Sequence, residues 1–113
     1  LVGRNDRQDK RRLPLNKLLN QLPQDGKLRI LMDHRPDEIN QNAELPLDLQ
    51  VSGHAHKGQV FPANLITKVL YTLDHGYLDL NNRHFFVTSG YGFWGIPFRI
   101  GSQSEVMIID INR

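Results

Sequence analysis

The chain has 113 residues, 39% of them hydrophobic and 23% charged, which is enough for one small domain with one core. It has no cysteine, so disulfides, thiolate metal sites and cysteine nucleophiles are excluded. The net charge of +2 is small, and no run approaches the ~20 apolar residues of a membrane span.

Leu1 to Gly3 reads as the end of a strand. With no initiator Met, the expectation is a piece of a longer chain, with any targeting or membrane segment lying upstream. Arg4, Arg7, Lys10, Arg11 and Arg12 follow, interleaved with Asp6 and Asp9. No aromatics accompany them, so the segment reads as a solvated loop and not as a nucleic-acid contact. Pro14 can open a helix, and Leu15, Leu18, Leu19 and Leu22 form its apolar stripe until Pro23 and Gly26 end it. Leu28 to Met32 fits a buried strand of a sheet covered on both faces, delivering Asp33 and His34 at its end. Asp37 to Asn42 reads as a short helix capped by Asp37. Leu47, Leu49 and Val51 alternate with Asp48 and Gln50, a half-buried strand. Asn64 to Leu73 reads as a helix capped by Asn64, with Leu65, Ile66, Val69 and Leu70 as its stripe. His75 to Leu80 and Arg83 to Thr88 flank Asn81-Asn82 as a hairpin. Ser89 to Ser104 is a glycine- and aromatic-rich loop, and Val106 to Ile111 reads as a last strand, apolar on both faces.

Two strand ends therefore hand over histidine, where ligands gather in open α/β sheets. The sharper signal is Val51-Ser52-Gly53-His54-Ala55-His56-Lys57-Gly58-Gln59-Val60. Glycines on both sides let the backbone turn tightly, and a short loop can hold two imidazoles at the ~2.0–2.1 Å that Zn–N bonds need. His34, His54 and His56 would make three imidazoles, enough for one open site and too few for two metals. Lys57 and Arg99 could meet a phosphate. His75 and His84 have no partner in sequence and default to structural roles. No P-loop, dinucleotide fingerprint or Gly-x-Ser-x-Gly is present.

Ile30-Leu31-Met32-Asp33-His34-Arg35-Pro36-Asp37, the glycine-framed histidine motif, Ser89-Gly90-Tyr91-Gly92, Ile96-Pro97-Phe98-Arg99-Ile100-Gly101 and Glu105 occur in order. Together they resemble the C-terminal half of the calcineurin-like metallophosphoesterases, most closely the bacterial, often membrane-anchored phosphohydrolases. The resemblance implies an α/β fold, half of a four-layer α/β/β/α sandwich, with residues 1–113 as the C-terminal portion of one domain. It implies two divalent ions (Mn, Fe or Zn), with His34 and His54 belonging to one and His56 to the other. The family's Asp-x-His, bridging Asp and Asn-His pair are missing, so no catalytic residue is expected here and the chain alone should be inactive. Ala55 replaces a Thr. Lys57 replaces a Gly and could contact substrate, and Asp33 replaces a small polar residue.

What the resemblance implies for the full protein is hydrolysis of a phosphomonoester or phosphodiester by a dinuclear-metal-activated hydroxide. The alternative is a non-catalytic scaffold or binding domain, motivated by Lys57 and Asp33 at the rim. Expected partners are the substrate and the missing half of the domain, with self-association as another way to cover an open sheet edge. The expected setting is bacterial, membrane-associated through an upstream segment or cytoplasmic, with this piece soluble.

Overall fold

The computed structural model describes residues 1–59, 62–93, 95 and 97–112. Val60, which ends the histidine motif, and Trp94 and Ile96 of the aromatic loop lie outside the described residues. In order the elements are β1 (Val2–Gly3), α1 (Leu15–Leu19), β2 (Ile30–Met32), α2 (Ile39–Asn42), β3 (Leu49–Ser52), a 3₁₀ turn (His56–Gly58), α3 (Ala63–Leu70), β4 (Gly76–Leu80) and β5 (Arg83–Val87). The strands form one sheet in the order β1-β2-β3-β5-β4. The first three pairings are parallel, and β4 and β5 make an antiparallel hairpin. Asn81 and Asn82 both have positive φ, the conformation a two-residue hairpin turn requires. This is a mixed α/β fold, as the sequence predicts.

Pairing register sorts the sheet into two faces. Val2, Leu31, Gln50 and Phe85 form one row, and Met32, Val51, Phe86 and Tyr77 form another. The first row faces the helices. Val2 and Leu31 pack with Leu15 and Leu19 of α1, and Phe85 and Val87 pack with Ile39 and Ala43 of α2 and its end. Burying a side chain such as Phe85 contributes about 1.5–3 kcal/mol. The second row is open: Met32 is 49% and Tyr77 53% exposed. The predicted two-sided cover is thus present on one face only among the described residues.

The predicted alternation of β3 fails at Gln50, while Leu47 and Leu49 are buried as expected. Gln50 is 1% exposed and faces the helices. Its Oε1 accepts from Asn42 Nδ2 at 2.9 Å and its Nε2 donates to Ser52 Oγ at 3.0 Å, so the amide is satisfied in the core.

Other boundaries move for local reasons. α1 keeps the predicted leucines in the core but stops at Leu19, before Pro23 is reached. The residue before α2 is Glu38, without a side-chain cap bond, and Asp37 instead pairs with Arg7 at 3.2 Å. α3 begins at Ala63 after Pro62, so Asn64 falls inside the helix, and it ends at Leu70. Its stripe is not core: Leu65, Ile66, Val69 and Leu70 are 54%, 58%, 86% and 69% exposed. Val106 to Ile111 forms no strand. It runs along the open face, where Ile109 and Ile111 line a 410 Å³ cleft with Leu49, Tyr77 and Phe86. Among the described residues no helix is long and apolar enough to cross a membrane.

Candidate metal centre

β2 and β3 lie side by side, so their C-terminal ends open at the same place. Asp33 N–H donates to Val51 O at 3.2 Å and Gly53 N–H to His34 O at 3.1 Å, which extends the ladder just past both strands. His54 then turns with φ +64. This brings His54 Nδ1 to 3.0 Å from His34 Nε2, with the rings edge-on at 70° and centroids 4.8 Å apart. Two nitrogens each ~2.0–2.1 Å from one ion are separated by about 2.9–3.4 Å in octahedral to tetrahedral geometry. That separation matches the spacing of two ligands to one divalent ion, and in the metal-free chain it is also that of an N–H···N hydrogen bond between the rings. Burial pushes the His54 imidazole below its ordinary pKa, and the charges of Arg35 and His34 push it further. The neutral form, which is the ligating form, is favoured.

His56 sits apart, in the 3₁₀ turn. His56, Lys57 and Gln59 all have left-handed backbone, at φ +47, +49 and +41. Three such non-glycine residues in four positions are costly, of order 1–3 kcal/mol each in the least favourable cases. His56 Nδ1 lies 3.1 Å from Ser89 O. A carbonyl only accepts, so Nδ1 carries the proton and Nε2 keeps its lone pair. Metal-bound histidines commonly have such a carbonyl partner behind the ring. Burial lowers the His56 pKa, reinforced by the charge of Arg99. Among the described residues, no three of the His, Asp and Glu side chains gather where one metal ion could sit. The single three-histidine site is not formed, and the histidines divide as a pair and a single.

Two supports hold these histidines, and the sequence reading missed both. Behind His34, Asp33 is buried and accepts from Arg12 at 3.1 and 2.8 Å and from Arg4 at 3.2 Å. Glu38 completes the cluster beside Arg4 and Arg12. Arg35 donates to Asp6 at 3.3 Å and Arg7 to Asp37 at 3.2 Å. The segment read as a solvated loop is thus clamped onto residues 33–38 by ion pairs, two of its arginines being nearly buried. Asp33 points into this clamp and not to the site's rim. Clustered basic and acidic residues were visible in the sequence, but their pairing across the sheet was not.

Around His56, Glu105 Oε1 accepts from Ser89 N–H at 2.8 Å and Thr88 Oγ1 at 3.0 Å, and His75 Nε2 lies 3.1 Å from both carboxylate oxygens. Burial opposes its ionisation, yet the Ser89 N–H, His75 and Thr88 hold the carboxyl at about 2. His75 thus has a partner after all. Arg99 gathers the carbonyls of the same loop. Lys57 lines a 530 Å³ cleft with His75, Ser89, Ser102 and Glu105. A second cleft of 670 Å³ runs beside His34 at the strand ends, lined by Gly3, Asn5, Met32, Gly53 and Thr88.

Parts of this sequence are similar to known proteins. No family model matches the chain, and no solved structure matches it. The chain is 42% identical over 83 residues to an uncharacterised metallophosphoesterase of Helicobacter pylori strain J99, covering 72% of this chain and 22% of the relative. It is 36% identical over 87 residues to an uncharacterised metallophosphoesterase of Campylobacter jejuni, covering 76% and 23%. It is 33% identical over 104 residues to a transmembrane protein with metallophosphoesterase domain of Danio rerio, covering 89% and 24%. The chain therefore spans less than a quarter of the length of these relatives. Over about 70% of its length, the chain belongs to the calcineurin-like metallophosphoesterase family.

Proposed function

We propose that this chain is the C-terminal half-site of a metal-dependent phosphoesterase. The whole protein would hydrolyse a phosphomonoester or phosphodiester, and residues 1–113 would be one portion of its catalytic domain, inactive alone. The observation that carries this is the 3.0 Å approach of His34 Nε2 and His54 Nδ1, with His56 held by its Nδ1 so that its Nε2 has no hydrogen-bond partner among the described residues. His34 and His54 would hold one divalent ion and His56 a second. When bound, such ions activate water and neutralise charge on the phosphate oxygens. The chain's own residues orient the three imidazoles, and burial favours the neutral form of His54 and of His56. Lys57, beside His56, would contact the substrate's anionic group.

The remaining ligands would come from chain beyond these residues, supplied across the 670 Å³ cleft at the strand ends. The same chain would cover the open row of Met32, Val51, Phe86 and Tyr77 with a second sheet, completing an α/β/β/α sandwich. Left uncovered, this face and the β1 edge favour self-association. Sedimentation showing a stable monomer across micromolar concentrations would count against that. The relatives whose names include a transmembrane protein support an upstream membrane anchor in the whole protein.

The test is hydrolysis of bis-p-nitrophenyl phosphate and p-nitrophenyl phosphate by the longer protein and by the 113-residue chain, with and without Mn²⁺. Manganese-dependent turnover by the longer protein alone is expected. No turnover of either ester by the longer protein, with any of Mn²⁺, Fe²⁺ or Zn²⁺, would favour a non-catalytic scaffold.

A further inference from the structure

Arg99 reads in the sequence as a solvated cation or a phosphate contact, and its guanidinium is neither. Its Nη2 lies 2.8 Å from Ser89 O, 3.0 Å from Gly90 O and 2.6 Å from Gly92 O. Nη1 lies 3.4 Å from both His56 O and Ser102 Oγ. Nε is buried with no hydrogen-bond partner among the described residues. One side chain thus draws four carbonyls from two loops around a single charge. Two of them flank His56: Ser89 O, which faces its Nδ1, and its own carbonyl.

The remaining contact fixes the chemistry of the ring. Arg99 Nη2 also lies 3.5 Å from His56 Nδ1. If Nδ1 held a lone pair, Arg99 could donate to it. An Nη2 has two hydrogens, and three nearer carbonyls already compete for them. The Ser89 carbonyl at 3.1 Å is the closer partner of Nδ1, and it can only accept. Of the two neutral tautomers, only the one with its proton on Nδ1 can donate to the Ser89 carbonyl.

We infer that Arg99 is a positioning residue that commits His56 to the Nδ1–H tautomer, aiming the Nε2 lone pair outward as a ligand. It acts through the Ser89 carbonyl and touches no reacting atom. The inference rests on the proposed half-site, but it concerns the ring of His56 in the metal-free chain and is read without any turnover.

Long-range ¹⁵N–¹H correlation spectra of the 113-residue chain, with each His→Gln variant assigning one ring, report the tautomer directly. His56 is expected to show a protonated Nδ1 and a lone-pair Nε2 at pH 7.5. In Arg99→Met the ring should shift toward the tautomer mixture of free histidine, while the His84 ring on the hairpin stays unchanged. Arg99→Lys, which restores donors and charge, should recover at least half of the Nδ1–H population. Zn²⁺ affinity should fall about 10–100-fold in Arg99→Met, the range for loss of a residue behind a metal ligand. A wild-type His56 protonated on Nε2 would overturn the inference. So would an Arg99→Met ring that keeps the wild-type tautomer. Should Arg99→Met lose its dispersed amide spectrum, Arg99→Lys and the wild-type ring decide alone. If the tautomer shifts as expected while the longer protein hydrolyses no ester, the positioning role stands and the phosphoesterase reading falls.

Discussion

His34 and His56, the two differently placed members of the proposed half-site, are held in opposite ways. His34 sits at the end of a parallel ladder, with its backbone bonded to Gly53 and its neighbour Asp33 locked by two buried arginines. His56 sits in a left-handed turn outside any strand, and its ring is set by Ser89, Arg99 and, one step further, Glu105. The first support is charge against charge across the sheet. The second is a set of carbonyls gathered by one cation and of N–H and hydroxyl groups gathered by one anion. A ligand at a strand end inherits order from the sheet. A ligand in a turn has to be ordered by residues far along the chain.

The clamp behind His34 is the place where a single change should do most harm. Asp33→Ala removes the buried acid that Arg4 and Arg12 share and leaves them only the more exposed Glu38. Removing one partner of a buried ion pair costs about 3–5 kcal/mol. Urea unfolding of the variant should show a loss of that size. A loss below about 1 kcal/mol would mean that the clamp is no more than a surface ion pair.

The loop behind His56 should be more forgiving. Glu105→Gln keeps the shape but weakens bonds to Ser89, Thr88 and His75, for an expected loss of about 1–3 kcal/mol. The sign of its pH dependence follows from the carboxyl's pKa, held at about 2 against an ordinary 4.5. The folded state prefers the ionised form, so its stabilisation is complete above about pH 4.5 and disappears as pH falls through about 2. The stability gap between wild type and Glu105→Gln should be widest at neutral pH and close over that window. A gap independent of pH between 5 and 2 would contradict the assignment.

Lys57 gives the smallest effect and the opposite sign. Its φ of +49 is one that glycine adopts without strain. Lys57→Gly should therefore be neutral or stabilising by up to ~1 kcal/mol in thermal melts. A clear destabilisation would show that the lysine side chain makes a contact the fold depends on.

The sequence was legible where periodicity or turn chemistry acts locally. The leucines of α1, the Asn81-Asn82 hairpin and the delivery of His34 and His54 by adjacent strands are of this kind. It misled where tertiary context decides. Gln50 looked like a solvent-facing residue because its polarity says so, and only the pairing with Asn42 and Ser52 makes it a core residue. The α3 stripe looked like core because its spacing is amphipathic, yet no described element covers it. Val106 to Ile111 has the composition of a strand but no paired neighbour in the sheet. Arg4, Arg12 and Arg99 looked solvated, since a lone arginine carries no signal of the acids or carbonyls it will meet 7 to 43 residues away in sequence.

On the reading proposed above, these histidines serve a phosphoesterase centre. The most direct test is kcat/KM of the longer protein for bis-p-nitrophenyl phosphate with saturating Mn²⁺, in the wild type and in His54→Ala and His56→Ala. Each substitution should lower it at least ~100-fold, the upper range for loss of a residue that only supports a ligand. Wild-type turnover in both variants would show that neither histidine is a ligand and that the half-site is not one.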